Sequence, residues 1–369
     1  SNTTLNASTV YSISGVVYVD SGVTLTIPAG TVLRGNSAVA NSSILVRKGG
    51  KLVANGTAQN PIVFTSDKAV GSRGYGDWGG IMLLGNATQN QTSSNIEGLA
   101  DDVKHKFGGT NDADNSGSLR YVRIEFGGYV FAANKEINGL TMGAVGSGTT
   151  IEYVQCSYIN DDAFEWFGGT VNCKYLVAYR CMDDDFDTDF GFSGKVQFAV
   201  SVRDPFNADQ SGSNGFESDN DASGSTATPN TQPHFSNVTV AGPLLFNSTI
   251  NTNYKRALHL RRRTECSTFN SVFAGYPVGL LIESASTIGN ATANTLRFKN
   301  NVIAQMNDSL ATVTTANPNN INAGFNITNF FNANSNGLVN TGAELGWNGI
   351  NLNNPDFSLS TGSKKFKNI

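Results

Sequence analysis

The sequence predicts an all-β solenoid, a parallel β-helix, and three observations carry that prediction. First, short strand patterns recur: Tyr153-Val154-Gln155, Tyr175-Leu176-Val177-Ala178-Tyr179 and Val196-Gln197-Phe198-Ala199-Val200 follow one another at roughly 22 residues, inside the range of about 20–50 that marks stacked repeats. Second, Val, Ile, Thr, Tyr and Phe come in bursts ended by Gly or Asn, which is strand-and-turn patterning, and helix-forming runs are absent. Third, charged residues are 15% of the chain against about 25% in average domains, while hydrophobic residues at 39% suffice for a continuous core. A chain of 369 residues would otherwise divide into two or three domains, but a solenoid lengthens by adding coils.

Taken in order, residues 1–20 are expected to cap the N-terminal end. Coils are expected over 21–303, beginning with Val23-Thr24-Leu25-Thr26-Ile27, then Ile44-Leu45-Val46 and Ile62-Val63-Phe64-Thr65. The polar stretch 87–117 reads as an excursion from the wall. Phe235-Ser236-Asn237-Val238, Phe269-Asn270-Ser271-Val272 and Phe298-Lys299-Asn300-Asn301-Val302 share a register, and Asn at a repeated turn predicts an amide ladder. Residues 304–369 turn Asn-rich and are expected to form an irregular C-terminal cap, with no second domain.

Charge is distributed unevenly. The net charge is −4, yet thirteen Asp or Glu and four Lys or Arg fall between Asp161 and Asp221. Acidic turns there repeat with the strands: Asp161-Asp162-Ala163-Phe164-Glu165, Asp184-Asp185-Phe186-Asp187 and Asn214-Gly215-Phe216-Glu217. If the coils stack, Glu165, Asp187 and Glu217 rise one above another on a single face. No extended basic face speaks for nucleic acid, and no apolar run reaches the ~18 residues of a membrane helix. The chain opens on polar residues at Ser1, as a mature exported protein does. Cys156, Cys173, Cys181 and Cys266 fit neither a disulfide framework nor a zinc motif and read as small buried residues.

Several longer strings, among them Gly30-Thr31-Val32-Leu33-Arg34-Gly35, Gly76-Asp77-Trp78-Gly79-Gly80, Phe164-Glu165-Trp166-Phe167-Gly168-Gly169 and Asp183-Asp184-Asp185-Phe186-Asp187-Thr188-Asp189, resemble secreted right-handed parallel β-helix surface proteins of Bacteroidota. The likeness runs from about residue 10 to 300. It implies a single-domain right-handed parallel β-helix at the bacterial cell surface and says little about activity. Many such proteins end in a type IX sorting domain, whereas this chain ends at Lys364-Lys365-Phe366-Lys367-Asn368-Ile369.

Candidate residues follow from the acids. Ca²⁺ takes about six to eight oxygens, which carboxylates on adjacent coils can supply; Asp183, Asp185, Asp187, Asp189, Asp219 and Asp221 are the candidates, with Asp112 and Asp114 of a D-x-D-x-S-G half-loop as a second set. The competing reading is that these acids form tight turns and bond their own backbone. Asp161, Asp162, Glu165, Trp166 and Glu217 are the candidate ligand-binding residues, since aromatic faces stack on sugars while carboxylates bond hydroxyls. His259, alternating with apolar residues, reads as part of the wall. The reading favoured is non-catalytic binding of a polysaccharide or an outer-membrane or surface protein, with structural Ca²⁺. The alternative is a calcium-dependent polysaccharide lyase, with Lys195, Arg203 or Arg261 serving the uronate chemistry, or a glycoside hydrolase using two carboxylates.

Overall fold

The computed structural model describes residues 1–92, 94–132, 135–307, 311–312 and 325–360. The chain winds between two long parallel sheets. One has ten strands, stacked in the order Val16–Val19, Ser43–Val46, Ile81–Leu84, Leu140–Val145, Phe164–Gly169, Phe186–Asp189, Phe216–Ser218, Arg256–Leu260, Val278–Ile282 and Ala311–Thr312. The other has sixteen, running from Thr3–Thr4 at one end to Gly337–Val339 at the other. Successive strands alternate between the sheets: Thr150–Ser157, Phe164–Gly169, Asn172–Tyr179, Phe186–Asp189 and Lys195–Val202 give two coils and begin a third. This is a parallel β-helix, as expected.

Alternation of side chains sets what faces inward. Phe164, Phe186 and Phe216 stack inside, ring centroids 5.9 and 5.0 Å apart, and the core runs unbroken from Ile13 to Phe331. The four cysteines are free and buried within it.

Successive coils turn a corner of the larger sheet at a residue of positive φ. Tyr121, Tyr153, Tyr175, Phe198, Asn237, Asn270 and Asn300 take φ between 50 and 61°, and the pairs on either side of each place all seven in one register. Asn suits this left-handed corner, but the expected amide ladder is only partly formed: Asn300 donates to Asn270 at 3.4 Å, whereas Asn270 donates to the Ser236 hydroxyl at 3.5 Å. In the first four of the seven an aromatic stands at the corner instead. Tyr121, Tyr153 and Tyr175 stack at 4.3 and 4.4 Å and Phe198 follows at 5.2 Å, contacts worth about 0.5–1.5 kcal/mol each that offset the backbone strain.

Two insertions stand over the ten-stranded sheet. In the stretch 87–117 an antiparallel hairpin pairs Ser94–Asn95 with Lys106–Phe107. A second hairpin joins Val130–Ala132 to Lys135–Glu136. Ile96, Leu99 and Phe107 of the first pack with Ile137 and Phe167 in a small core of their own, which fixes the insertions to the wall. At the N-terminal end, residues 1–20 supply strands that already pair with the next coil, Val10–Ile13 lying on Val32–Gly35. At the other end Val302–Ala304 still pairs in parallel with Gly337–Val339. A helix at Ile327–Ala333 precedes the last of these strands, and an antiparallel hairpin of Trp347–Gly349 and Asp356–Leu359 completes this end. Leu352 between its strands accepts from the Tyr179 hydroxyl at 2.8 Å. The end at Lys364-Lys365-Phe366-Lys367-Asn368-Ile369 lies outside the described residues. Among the described residues no helix is long and apolar enough to cross a membrane.

Candidate functional site: an acidic cleft

The aromatic that points inward on each coil fixes the acid that points outward beside it. Register pairs Glu165 with Asp187 and Asp187 with Glu217, so the three acids do stack. The ladder continues to Thr141 on one side and to His259 on the other. The turns entering these strands form a second ladder. Asn138 Oδ1 accepts from the Asp162 backbone N–H at 3.3 Å, Asp162 Oδ1 from Asp184 N–H at 2.8 Å, and Asp184 Oδ1 from Asn214 N–H at 2.5 Å. Each turn thus caps the backbone of the next coil through a side chain.

Between the ladders and the insertions lies a cleft of about 280 Å³. Asp161, Asp162 and Glu165 line it from one coil, Asp183, Asp184 and Asp187 from the next, and Glu217 from a third. Asp209 joins them from a loop, while Glu97 and Glu136 reach in from the two insertions. Among the described lining residues the basic one is Arg261.

Crowding this many carboxyls out of water disfavours their charge. Burial, then the neighbouring acids, hold Asp161, Asp162, Glu165, Asp184 and Asp187 well above the usual carboxylate range. Burial and Glu136 push Glu97 up to about 7. Asp183 rises to about 6, chiefly by burial. Glu217 is the exception. Burial opposes its charge, but the neighbouring His259 and the Arg261 guanidinium outweigh it and hold the carboxyl below its ordinary value.

Three overlapping triads come together in the cleft: Asp161, Asp162 and Asp183; Asp162, Glu165 and Asp187; Asp184, Asp187 and Glu217. Within each, one oxygen per residue lies within 4.8 Å of the others, a span that oxygens on one cation at about 2.3–2.6 Å can bridge. A hard divalent cation matches this all-oxygen donor set.

The remaining candidates lie elsewhere. Trp166 is a correction: it is fully buried, stacked on Phe192 at 5.4 Å, and has no face to offer a sugar. Phe192 is equally buried. Asp185 turns into the solenoid, where it meets the fully buried Arg203 at 2.8 Å and the Ser201 hydroxyl. Neither residue can serve at the surface, which removes Asp185 as a metal ligand and Arg203 as a catalytic group. Lys195 is exposed on the sixteen-stranded sheet, paired with His234, and does not line the cleft. Asp219 binds Arg261 at 2.9 Å and Arg262 at 2.8 Å. Asp189 accepts from Phe190 N–H at 2.6 Å, and burial followed by Asp219 raises its carboxyl well above the ordinary range. Asp221 is a turn former that accepts from Ser223 N–H at 2.8 Å and Ser225 N–H at 3.1 Å. Asp112 and Asp114 do not line the cleft; they take the Thr88 N–H at 2.9 Å and the Asn86 amide at 3.2 Å.

Glu97, Glu136 and Asp209 bear no periodic relation to the strands, so nothing in the repeat pointed to them. His259 could have been found. Leu258-His259 occupies the register of Phe216-Glu217 with Leu as the inward residue.

Over residues 1–348 the sequence matches the family of the pectate-lyase like beta helix domain. The chain belongs to that family. No curated protein and no solved structure matches it. For this pectate-lyase-like β-helix protein, membership accounts for the two-sheet coil, and the activity has to be argued from the cleft.

Proposed function

We propose that this pectate-lyase-like β-helix protein is exported to the cell surface and binds a polysaccharide through the acidic cleft, with Ca²⁺ seated among the carboxylates. One observation carries the reading. Ten carboxyl groups converge where Arg261 is the lining cation, and Arg261 is already engaged by Glu217 and Asp219. At neutral pH such a group either stays partly protonated or takes up a cation. A seated cation leaves coordination positions for sugar hydroxyls or uronate carboxylates, and the remaining acids accept hydroxyl hydrogen bonds. A surface protein presenting the same groups would be read in the same way.

Two measurements test this. Titration of the chelated protein with Ca²⁺ should show saturable heat and raise the melting temperature. A panel of uronate-containing and neutral polysaccharides should then include one that binds with Ca²⁺ and not with EDTA. A flat calcium titration removes the reading.

Glycoside hydrolysis is the second reading, favoured by the contrast between Glu217, whose carboxyl is held below its ordinary range, and the neighbouring Asp184 and Asp187, which burial holds well above it. Acid–base pairs arise from such opposed environments. Reducing-end release that Glu217→Gln abolishes would move the assignment there. Lyase chemistry is less well served, because Lys195 and Arg203 lie away from the cleft and Arg261 is tied to two acids.

A further inference from the structure

His259 stands directly below Glu217 on the ten-stranded sheet and is 3% exposed. Its imidazole faces a carboxylate at each nitrogen. Nδ1 lies 3.3 Å from Glu217 Oε2, and Nε2 lies 2.6 Å from Glu283 Oε2. Glu283 directly follows the Val278–Ile282 strand of the next coil, and its backbone N–H bonds Leu260 carbonyl at 2.7 Å, so the far end of this chain of contacts is tied to the wall. The other Glu217 oxygen, Oε1, meets Arg261, whose guanidinium is itself fixed on Asp219 by contacts of 2.9, 3.1 and 3.2 Å. Glu217 is therefore held at both oxygens, Oε1 by Arg261 and Oε2 by the Asn214 amide at 3.2 Å, with His259 Nδ1 packed beside Oε2. Asp187, one coil away, has no such support: among the described residues no side-chain donor bonds its carboxylate.

We propose that His259, braced by Glu283, is a positioning residue that orients Glu217 toward Asp184 and Asp187, so that the three can share one divalent cation. This rests on the cation reading of the cleft. The geometry supplies the reason for a histidine here. A ring wedged between two acids limits how the Glu217 plane can turn, and Oε1, which meets Arg261 alone, keeps a second lone pair for a ligand. Partners of this kind, which hold a ligating group without touching the metal, typically matter about ten- to a hundred-fold in affinity.

Two variants separate positioning from packing. An asparagine amide nitrogen falls near the Nδ1 position of the ring, a glutamine amide nitrogen near Nε2. His259→Asn therefore places a nitrogen beside Glu217, and His259→Gln places one only beside Glu283. Calcium titration calorimetry on the full chain, with Ca²⁺ alone as probe, should give an affinity within about threefold of the starting protein for His259→Asn, and a loss of about ten- to a hundred-fold for His259→Gln. Melting in EDTA should be similar for the two variants, since both leave a comparable amide in the same place. Equal calcium affinity in both variants, whether retained or lost, overturns the positioning role while leaving the cation reading intact. Absence of calcium binding in the unsubstituted protein overturns both.

Discussion

At the residue scale the most exacting contact is the ion pair inside the solenoid. Arg203 and Asp185 are both fully buried and 2.8 Å apart. Arg203 also donates to Met182 carbonyl at 3.0 Å and lies over the Tyr254 ring at 5.2 Å. Desolvating such a pair costs about as much as its attraction returns, but removing one partner strands the other charge at a cost of about 3–5 kcal/mol. Arg203→Met should therefore destabilise the protein by that amount in urea unfolding, and Asp185→Leu added to it should restore most of the loss. A single variant with the stability of the parent would show that water reaches the site. This pair was not legible in the sequence. Asp185 sits within five acids in seven residues and reads like its neighbours, and what separates it is the turn geometry that aims it inward toward an arginine just past the end of the Lys195–Val202 strand. Glu165, Asp187 and Glu217 were legible, because each follows a phenylalanine that must point inward and so must itself point out.

At the scale of the element, the insertions decide how exposed the cleft is. Glu97 faces Glu136 and Lys135 on the neighbouring hairpin, and it acts electrostatically on Asp161 and Glu165 of the floor. Its carboxyl is pushed up to about 7, by burial first and Glu136 second. The folded state thus binds a proton that the unfolded chain, with a glutamate of about 4.3, has released. Stability must then fall as pH rises from about 4.5 to 7 and stay lower above. Glu97→Gln should remove the share of that decline due to this residue in calorimetric melts run in EDTA, making the slope shallower and gaining roughly 1–3 kcal/mol at pH 8 and almost nothing at pH 4.5. An unchanged slope would mean the carboxylate is solvated. Sequence reasoning recognised 87–117 as an excursion but could not say that it returns over the acids. That return depends on Ile96, Leu99 and Phe107 finding Ile137 and Phe167, contacts between segments with no shared period.

At the scale of the whole molecule, the coil was legible because a solenoid writes its period into the chain, whereas the strength of coupling between coils depends on what fills them. A stack in which each coil touches only its neighbours should unfold from its ends. The two ends are not alike here. From Phe164 onward an inner spine of aromatics links coil to coil, with Phe186–Phe216, Phe216–Phe273, Phe273–Phe298 and Phe298–Phe331 at 5.0 to 5.9 Å. Large rings bury about 150–250 Å² each, so these coils are strongly coupled. Before Phe164 the inward residues are mostly smaller, among them Ile13, Val19, Ile27, Leu33 and Ile44. The terminal strands Val10–Ile13 and Val16–Val19 are paired on one side only, and Val10 is 56% exposed. Amide hydrogen exchange should therefore be fastest over residues 3–19, slow progressively along the next coils, and reach full protection across the Thr150–Ser157, Asn172–Tyr179 and Lys195–Val202 strands. Ile13→Ala should extend the fast-exchanging region by a coil without lowering protection near Phe186. If that substitution instead accelerated exchange uniformly along the chain, the coils would form one cooperative unit, and the aromatic spine would not be what distinguishes the coils around the cleft from those before it.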